Sequence, residues 1–195
     1  MTKTVTALFD RYDDARAAVR DLEAAGFSHA DISIVANNAD SRVGGTDAAE
    51  DAGTGAGIGA AIGGVGGLLA GLGMLAIPGV GPVVAAGWLA ATAAGAAAGA
   101  VAGGAAGGVI GAMTESGVPE HDAHVYAEGV RRGGSLVSAR VDDVRADEAD
   151  AILRRAKSVD ISARGTAYRK SGWERFDPAA PIYTAEQLER ERTLY

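Results

Sequence analysis

The chain has 195 residues, no cysteine and a net charge of −7 at pH 7. Without cysteine it can form neither disulfide bonds nor thiolate metal sites. No block of lysine and arginine with interleaved aromatic residues occurs, so nucleic acid is not a predicted partner. The length favours one small globular domain with an insertion.

The N-terminal part of the chain has a β-α-β pattern. Residues 4–9 alternate in the manner of a strand. A helix is predicted over residues 12–25, where apolar residues recur with helical spacing and Gly26 supplies the stop. A second strand is predicted over residues 31–36. The apolar stripe of the helix consists of Ala15, Ala18, Val19 and Leu22.

A long uncharged segment follows. Residues 52–114 contain 20 glycines and no charged side chain. Glycine recurs every four residues in two arrays, which places each array on one face of a helix, as in closely packed membrane helices. Residues 77–82 carry a proline near each end and predict a break, which leaves helices over 52–77 and 83–114. Each is long enough to cross a bilayer. The predicted helix-packing residues are Gly55, Gly59, Gly63, Gly67 and Gly71, then Gly95, Gly99, Gly103, Gly107 and Gly111.

The part after this segment repeats the β-α-β pattern. A helix is predicted between Pro119, at its first position, and Gly133. A strand over 136–141, an amphipathic helix over 149–156 and a strand over 159–163 follow. Two β-α-β halves predict an α+β, ferredoxin-like domain with an antiparallel sheet and the helix of each half on the same face.

The pattern divides the chain into four parts. Residues 1–51 form the first half of the ferredoxin-like domain, and residues 52–114 form a glycine-rich helical hairpin that interrupts it. Residues 115–164 form the second half, and residues 165–195 form a C-terminal tail with a short helix. A hairpin returns the chain near its starting point, so it can be inserted without breaking the sheet.

Several short motifs resemble a bacterial family. They are KTVTALFD at residues 3–10, DLEAAG at 21–26, DISIVA at 31–36 and YAEGVRRGGSLV at 126–137. Over roughly residues 3–164 the chain resembles the general stress proteins (seventeen-M type) with a heat-induced, YflT-like domain. The resemblance implies a stress-linked bacterial protein, and many members of the family are described as membrane proteins. Its motifs are structural, so it implies no catalytic residues.

Two patterns could carry chemistry, and neither predicts it. His121 and His124 are spaced as metal ligands on one helical turn, but an exposed polar helix face explains them better. Residues 55–60 fit a loose dinucleotide-binding pattern but do not follow a strand. No carboxylate stands in an apolar setting that would mark a general acid. We therefore expect no enzyme activity, no cofactor and no metal site, and the sequence indicates no particular small-molecule ligand.

The tail carries large apolar residues among its charges, which is unusual for a disordered segment. A capping box over residues 184–187 predicts the start of a helix. We expect Trp173, Phe176 and Tyr183 to dock, in the same or a neighbouring subunit. The expected docking surface is the open sheet face around Leu8, Val35 and Leu136. The alternative is a recognition peptide for another protein.

These features predict a stress-associated structural protein that forms a homo-oligomer through its glycine arrays. The first hypothesis embeds the hairpin in the inner membrane, with the globular part in the cytoplasm. An alternative is a soluble cytoplasmic assembly packed through the same hairpin, and another is a ligand-sensing ferredoxin-like module. The acidic ends of the hairpin, at Asp51 and Glu115, argue against a conventional membrane anchor.

Overall fold

The computed structural model describes residues 2–39, 73–77, 79–92 and 106–194. Five strands form one sheet in the order β1-β5-β2-β4-β3, and every neighbouring pair is antiparallel. The strands are β1 (Thr2–Phe9), β2 (Ile32–Asn37), β3 (Gly73–Ile77), β4 (Gly81–Gly87) and β5 (Ser135–Asp142).

Six helices accompany this sheet in the described ranges, besides a helical stretch at residues 88–92 and two short 3-10 turns. They are α1 (Tyr12–Ala24), α2 (Ala106–Glu115), α3 (Glu120–Arg131), α4 (Ala146–Arg155), α5 (Ile161–Lys170) and α6 (Ala185–Arg192). The 3-10 turns are His29–Asp31 and Asp143–Arg145. The α+β class is confirmed.

The first sheet face is covered by α1 and α4, as predicted for the helices of the two halves. The stripe of α1 is fully buried in one cluster with Phe9 and Ile34 from the sheet and Ile152 and Leu153 from α4. Gly26 follows α1 with φ +84, the left-handed conformation that ends a helix. Hydrophobic periodicity alone therefore located the first β-α-β unit.

The second sheet face was expected to be open, but α3 covers much of it. Leu8, Val35 and Leu136 share a second cluster with Ala123 and Val130 of α3. Residues from the helical stretch 88–92 and from α2 join the same cluster. Pro119 is the N-cap residue of α3 and not its first helical residue.

The predicted helical hairpin is wrong in its central part, because residues 73–77 and 81–87 are strands. Val80 N donates to Ile77 O at 3.0 Å and closes a turn. Gly79 within the turn (φ +74) and Gly81 directly after it (φ +99) adopt conformations that suit glycine. The β-branched Val83 and Val84 favour a strand. β4 lies between β2 and β3, so part of the uncharged segment belongs to the sheet.

The predicted fourth strand over residues 159–163 is also wrong. Asp160 caps α5, since its side chain accepts a hydrogen bond from Ala163 N at 2.9 Å. Val159 N still donates to Leu8 O at 2.8 Å, but the chain then turns into the helix. Three strands keep ferredoxin-like neighbours, in the order β1-β5-β2, and the complete ferredoxin-like order is not formed.

Candidate functional site: a C-terminal clasp

The C-terminal residues 171–194, which we call the clasp, pack against the end of α3 and contribute Phe176 to the second cluster. They run from the end of α5 without regular structure to α6, which begins with the predicted capping box of Thr184 and Gln187. Phe176 is 3% exposed and belongs to the cluster of Leu8, Val35 and Leu136. Leu188 of α6 is fully buried. Apolar burial at two points therefore holds the clasp on the domain.

The clasp also packs against the β3–β4 turn. A Cβ placed on Gly79 would lie 2.6 Å from Pro178 Cα, and one placed on Gly81 would lie 2.6 Å from Ile182 Cγ2. Neither position has room for a side chain unless its neighbour moves. The glycines of this turn thus allow the clasp to lie directly on a part of the uncharged segment.

A buried ion cluster lies under the clasp at the end of α3. Glu128 is 0% exposed and accepts hydrogen bonds from Arg132 Nε at 2.7 Å and from Arg131 Nη1 at 3.1 Å. Burial alone disfavours the Arg132 cation, but its hydrogen bond and charge interaction with Glu128 outweigh that effect and raise the pKa of Arg132. The carboxylate is stable in this buried position because two guanidinium groups surround it.

The same two arginines reach the clasp. Arg131 Nη2 donates to Pro181 O at 2.9 Å, and its guanidinium lies 4.6 Å from the ring centroid of Tyr183. Arg132 Nη1 donates to Glu191 Oε2 at 3.0 Å. Charge-assisted hydrogen bonds of this kind are stronger than neutral ones. The Glu128 cluster therefore joins α3 to both the extended part of the clasp and α6.

A second ion pair fixes the helix from which the clasp departs. Arg164 donates to both carboxylate oxygens of Asp10, at 2.8 and 2.9 Å, and ties α5 to the end of β1. Tyr168 of α5 is fully buried, and Trp173 meets its ring edge-on with centroids 5.6 Å apart. Arg132 lies 4.3 Å from the Tyr168 ring centroid.

The structure thus places all three predicted tail residues within the clasp, in three different surroundings. Trp173 packs on Tyr168, Phe176 enters the second cluster and Tyr183 lies under Arg131. The ionic part of the site was not anticipated. Its signal in the sequence is a glutamate followed three and four residues later by arginine, the spacing that brings side chains together on a helix.

A cavity of about 350 Å³ lies beside the clasp at the end of the sheet. It is lined by Asp10, Arg11, Tyr12, Asp13, Asn37, Gly133, Ser135 and Arg192. Its charged residues are of both signs. His121 lies beside Asp122 (3.1 Å) and His124 beside Glu120 (3.8 Å), and no group of three or more metal-ligating side chains occurs within the described ranges.

Most of the predicted helix-packing glycines lie outside the described residues. These are Gly55, Gly59, Gly63, Gly67, Gly71, Gly95, Gly99 and Gly103. Gly107 and Gly111 belong to α2, and a Cβ placed on Gly111 would meet no atom within 4 Å. Among the helices of the described ranges, none combines the length and apolarity needed to cross a membrane.

Comparison with known proteins gives one family match. Residues 4–76 match the family model of the heat induced stress protein YflT domain, a range that includes α1, β2 and most of β1 and β3. The similar motif at residues 126–137 lies outside the match. No curated protein and no solved structure gives a significant match to the chain. The resemblance drawn from the sequence is therefore confirmed over residues 4–76: the chain matches the heat induced stress protein YflT domain family there, which indicates a general stress-associated role.

Proposed function

We propose that the protein is a non-enzymatic, stress-associated protein that self-assembles in aqueous solution through its glycine arrays. The observation that carries this proposal is that two glycine-rich stretches, which lie outside the described residues, each begin and end in the folded domain. These stretches are residues 40–72 and residues 93–105. Whether assembly occurs in a bilayer or in water depends on whether each stretch has enough residues to cross a bilayer and return.

Residues 40–72 connect β2 to β3, which belong to the same sheet. Residues 93–105 connect the helical stretch 88–92 to α2, and Leu89 and Met113 on either side belong to the same buried cluster. A segment that crosses a bilayer and returns needs two spans of roughly 20 residues each. The two stretches have 33 and 13 residues. Chain length therefore favours an aqueous assembly over a membrane-spanning hairpin.

The spacing of glycine supports contacts between chains. Gly95, Gly99 and Gly103 recur every four residues, and so do the five glycines of the first array, which are Gly55, Gly59, Gly63, Gly67 and Gly71. Glycine inside a helix costs about 1 kcal/mol relative to alanine, so a repeated glycine is favourable only where close backbone packing offsets that cost. Weak Cα–H···O contacts and dispersion stabilise packing of this kind.

The clasp gives the domain a defined part in this assembly. By packing on Gly79 and Gly81 it holds the β3–β4 turn, and with it the two strands that lie between the glycine-rich stretches in the sequence. A segment whose ends are held in place loses less conformational entropy when it assembles with another chain. We therefore assign the clasp a positioning role in assembly.

Native mass determination of the full chain tests the proposal, together with carbonate extraction of membranes from expressing cells. We expect a homo-oligomer in detergent-free buffer and release of the protein by carbonate. A monomer in detergent-free buffer would overturn self-assembly. Retention of the protein in the extracted membrane pellet would overturn the aqueous assignment and favour the bilayer hypothesis.

A further inference from the structure

The outer edge of β1 carries backbone groups that no strand of the described residues pairs with. β1 is hydrogen-bonded to β5 on one side only. Leu8 O accepts from Val159 N, and Thr6 O accepts from the Tyr126 hydroxyl at 2.9 Å, so the backbone groups of these two residues point away from β5. Because this direction alternates along an antiparallel strand, the backbone groups of Thr4 also point outward.

This edge lies in a groove and is not a flat rim. A cavity of about 310 Å³ runs along residues 3–6 of β1. Asp122 and Tyr126 of α3 form one wall, and Asp147 and Asp150 of α4 form the other. The groove occupies the position beside β1 that the predicted fourth strand would have filled. No described residue fills that position, because α5 begins at Ile161.

The walls of the groove are acidic. Burial, followed by the charges of Asp122 and Asp150, raises the pKa of the Tyr126 hydroxyl, so both carboxylates act on the groove. Asp122 lies beside His121, and Asp150 pairs with Arg154. Asp147 makes no ion pair with the described residues. Among the described residues that line the groove, the basic one is Lys3 of β1 itself.

We propose that this groove binds an extended, lysine- or arginine-bearing segment of another protein by strand addition to β1. The backbone of the segment would pair with Thr4, as in other complexes in which a peptide extends a sheet. Alternate side chains of a strand point to opposite faces, so basic residues at every second position would lie along the wall of Asp147 and Asp150.

A second copy of this chain is a poorer occupant. Two copies joined through β1 around a two-fold axis would bring α4 next to α4 and α3 next to α3. Asp147 and Asp150 would then approach the same residues of the other copy, and each chain carries a net charge of −7. Like charges placed together at an interface are unfavourable.

The probe is a short fluorescent peptide of alternating valine and lysine, titrated with the full-length protein and followed by anisotropy. One control peptide carries glutamate in place of lysine, and another carries proline in place of the valines, which removes half of its backbone donors. We expect saturable binding of the lysine peptide and binding weaker by about tenfold or more for both controls. Equal binding of the three peptides, or no binding, would overturn the proposal.

Thr4→Pro tests the edge itself, because it removes an outward N–H and leaves the ladder to β5 intact. Its matched control, Thr4→Val, keeps the N–H and the strand preference. We expect Thr4→Pro to lower the affinity for the lysine peptide by about tenfold and Thr4→Val to leave the affinity unchanged. Wild-type binding by Thr4→Pro would show attraction by surface charge alone and would contradict strand addition.

The double variant Asp147→Asn/Asp150→Asn keeps the test decisive if Thr4→Pro does not fold. It retains the edge and removes the charge of one wall, so we expect weaker binding with a smaller dependence on salt. Unchanged affinity and salt dependence would overturn the charge assignment. If Thr4→Pro folds and instead lowers the native mass of the protein, the occupant is a second copy and the proposed partner is wrong.

Discussion

Gly79 and Pro178 lie so close that a Cβ at position 79 would be 2.6 Å from Pro178 Cα. Asp177 O and Pro178 O would lie 2.8 and 2.9 Å from the same point, so the obstacle is backbone and not a movable side chain. Residues from the middle and the end of the chain thus meet without an intervening side chain. Any larger residue at position 79 has to move the clasp.

Gly79→Ala should therefore lower the free energy of unfolding by roughly 2–3 kcal/mol, from backbone strain and from displacement of the clasp. Gly26→Ala is the matched control, because Gly26 also has a positive φ (+84) but has no atom within 4 Å of the added Cβ. It should cost about 1 kcal/mol. Urea unfolding gives both values, and equal losses would contradict close packing of the clasp on the turn.

Glu128→Gln should destabilise the fold by roughly 3 kcal/mol, since it leaves Arg131 and Arg132 without the carboxylate between them. Glu148→Gln removes an ion pair with Arg145 in which Glu148 is half exposed, and should change stability far less, because water already solvates both charges. Urea denaturation of the two variants makes the comparison. A Glu128→Gln variant as stable as Glu148→Gln would show that the cluster does not hold the clasp.

Tyr126 should make the protein sensitive to alkaline pH. Its folded-state pKa is raised above the ordinary value of 10.0, first by burial and then by Asp122 and Asp150. A tyrosine with a raised pKa contributes stability that is complete below the unfolded pKa and is lost as pH rises above it. Ionisation also removes the proton that Tyr126 donates to Thr6 O.

The measurement is urea unfolding of the wild type and of Tyr126→Phe from about pH 8 to about pH 11. The stability advantage of the wild type, about 1 kcal/mol from the hydrogen bond, should shrink above pH 10. Tyr12 and Tyr183 also have raised pKa values, but both proteins retain them, so their effects cancel in the difference. A constant gap across this range would contradict the assignment.

Periodicity in the sequence predicted the helices and strands that bury one face and expose the other. The stripe of α1 and the alternation of β1 are of this kind. The strand β4 was missed because the uncharged segment was predicted to be helical on both sides of the break at residues 77–82. Only the glycines near that break and the pair Val83 and Val84 indicate strands. The helix α5 was missed because a single N-cap residue, Asp160, outweighed a short apolar alternation.

The ionic core of the clasp was beyond prediction for a different reason. Glu128 and Arg132 have helical spacing that is common on exposed surfaces, and nothing local in the sequence indicates that they are buried. The cluster gains part of its surroundings from α6, where Glu191 accepts a hydrogen bond from Arg132 although it lies 59 residues later in the chain. In contrast, the prediction that the tail docks rested on a local signal, its large apolar residues Trp173, Phe176 and Tyr183.

The central claim, self-assembly through the glycine arrays, is tested most directly by chemical crosslinking and native mass of Gly103→Ile beside Gly64→Ile and the wild type. Gly103 lies on the regular strip of the second array, whereas Gly64 lies off the strip of the first. We expect Gly103→Ile to form a smaller assembly with an unchanged far-ultraviolet spectrum and Gly64→Ile to have a milder effect. If Gly103→Ile gives the same large oligomer as the wild type, assembly through the glycine arrays is wrong.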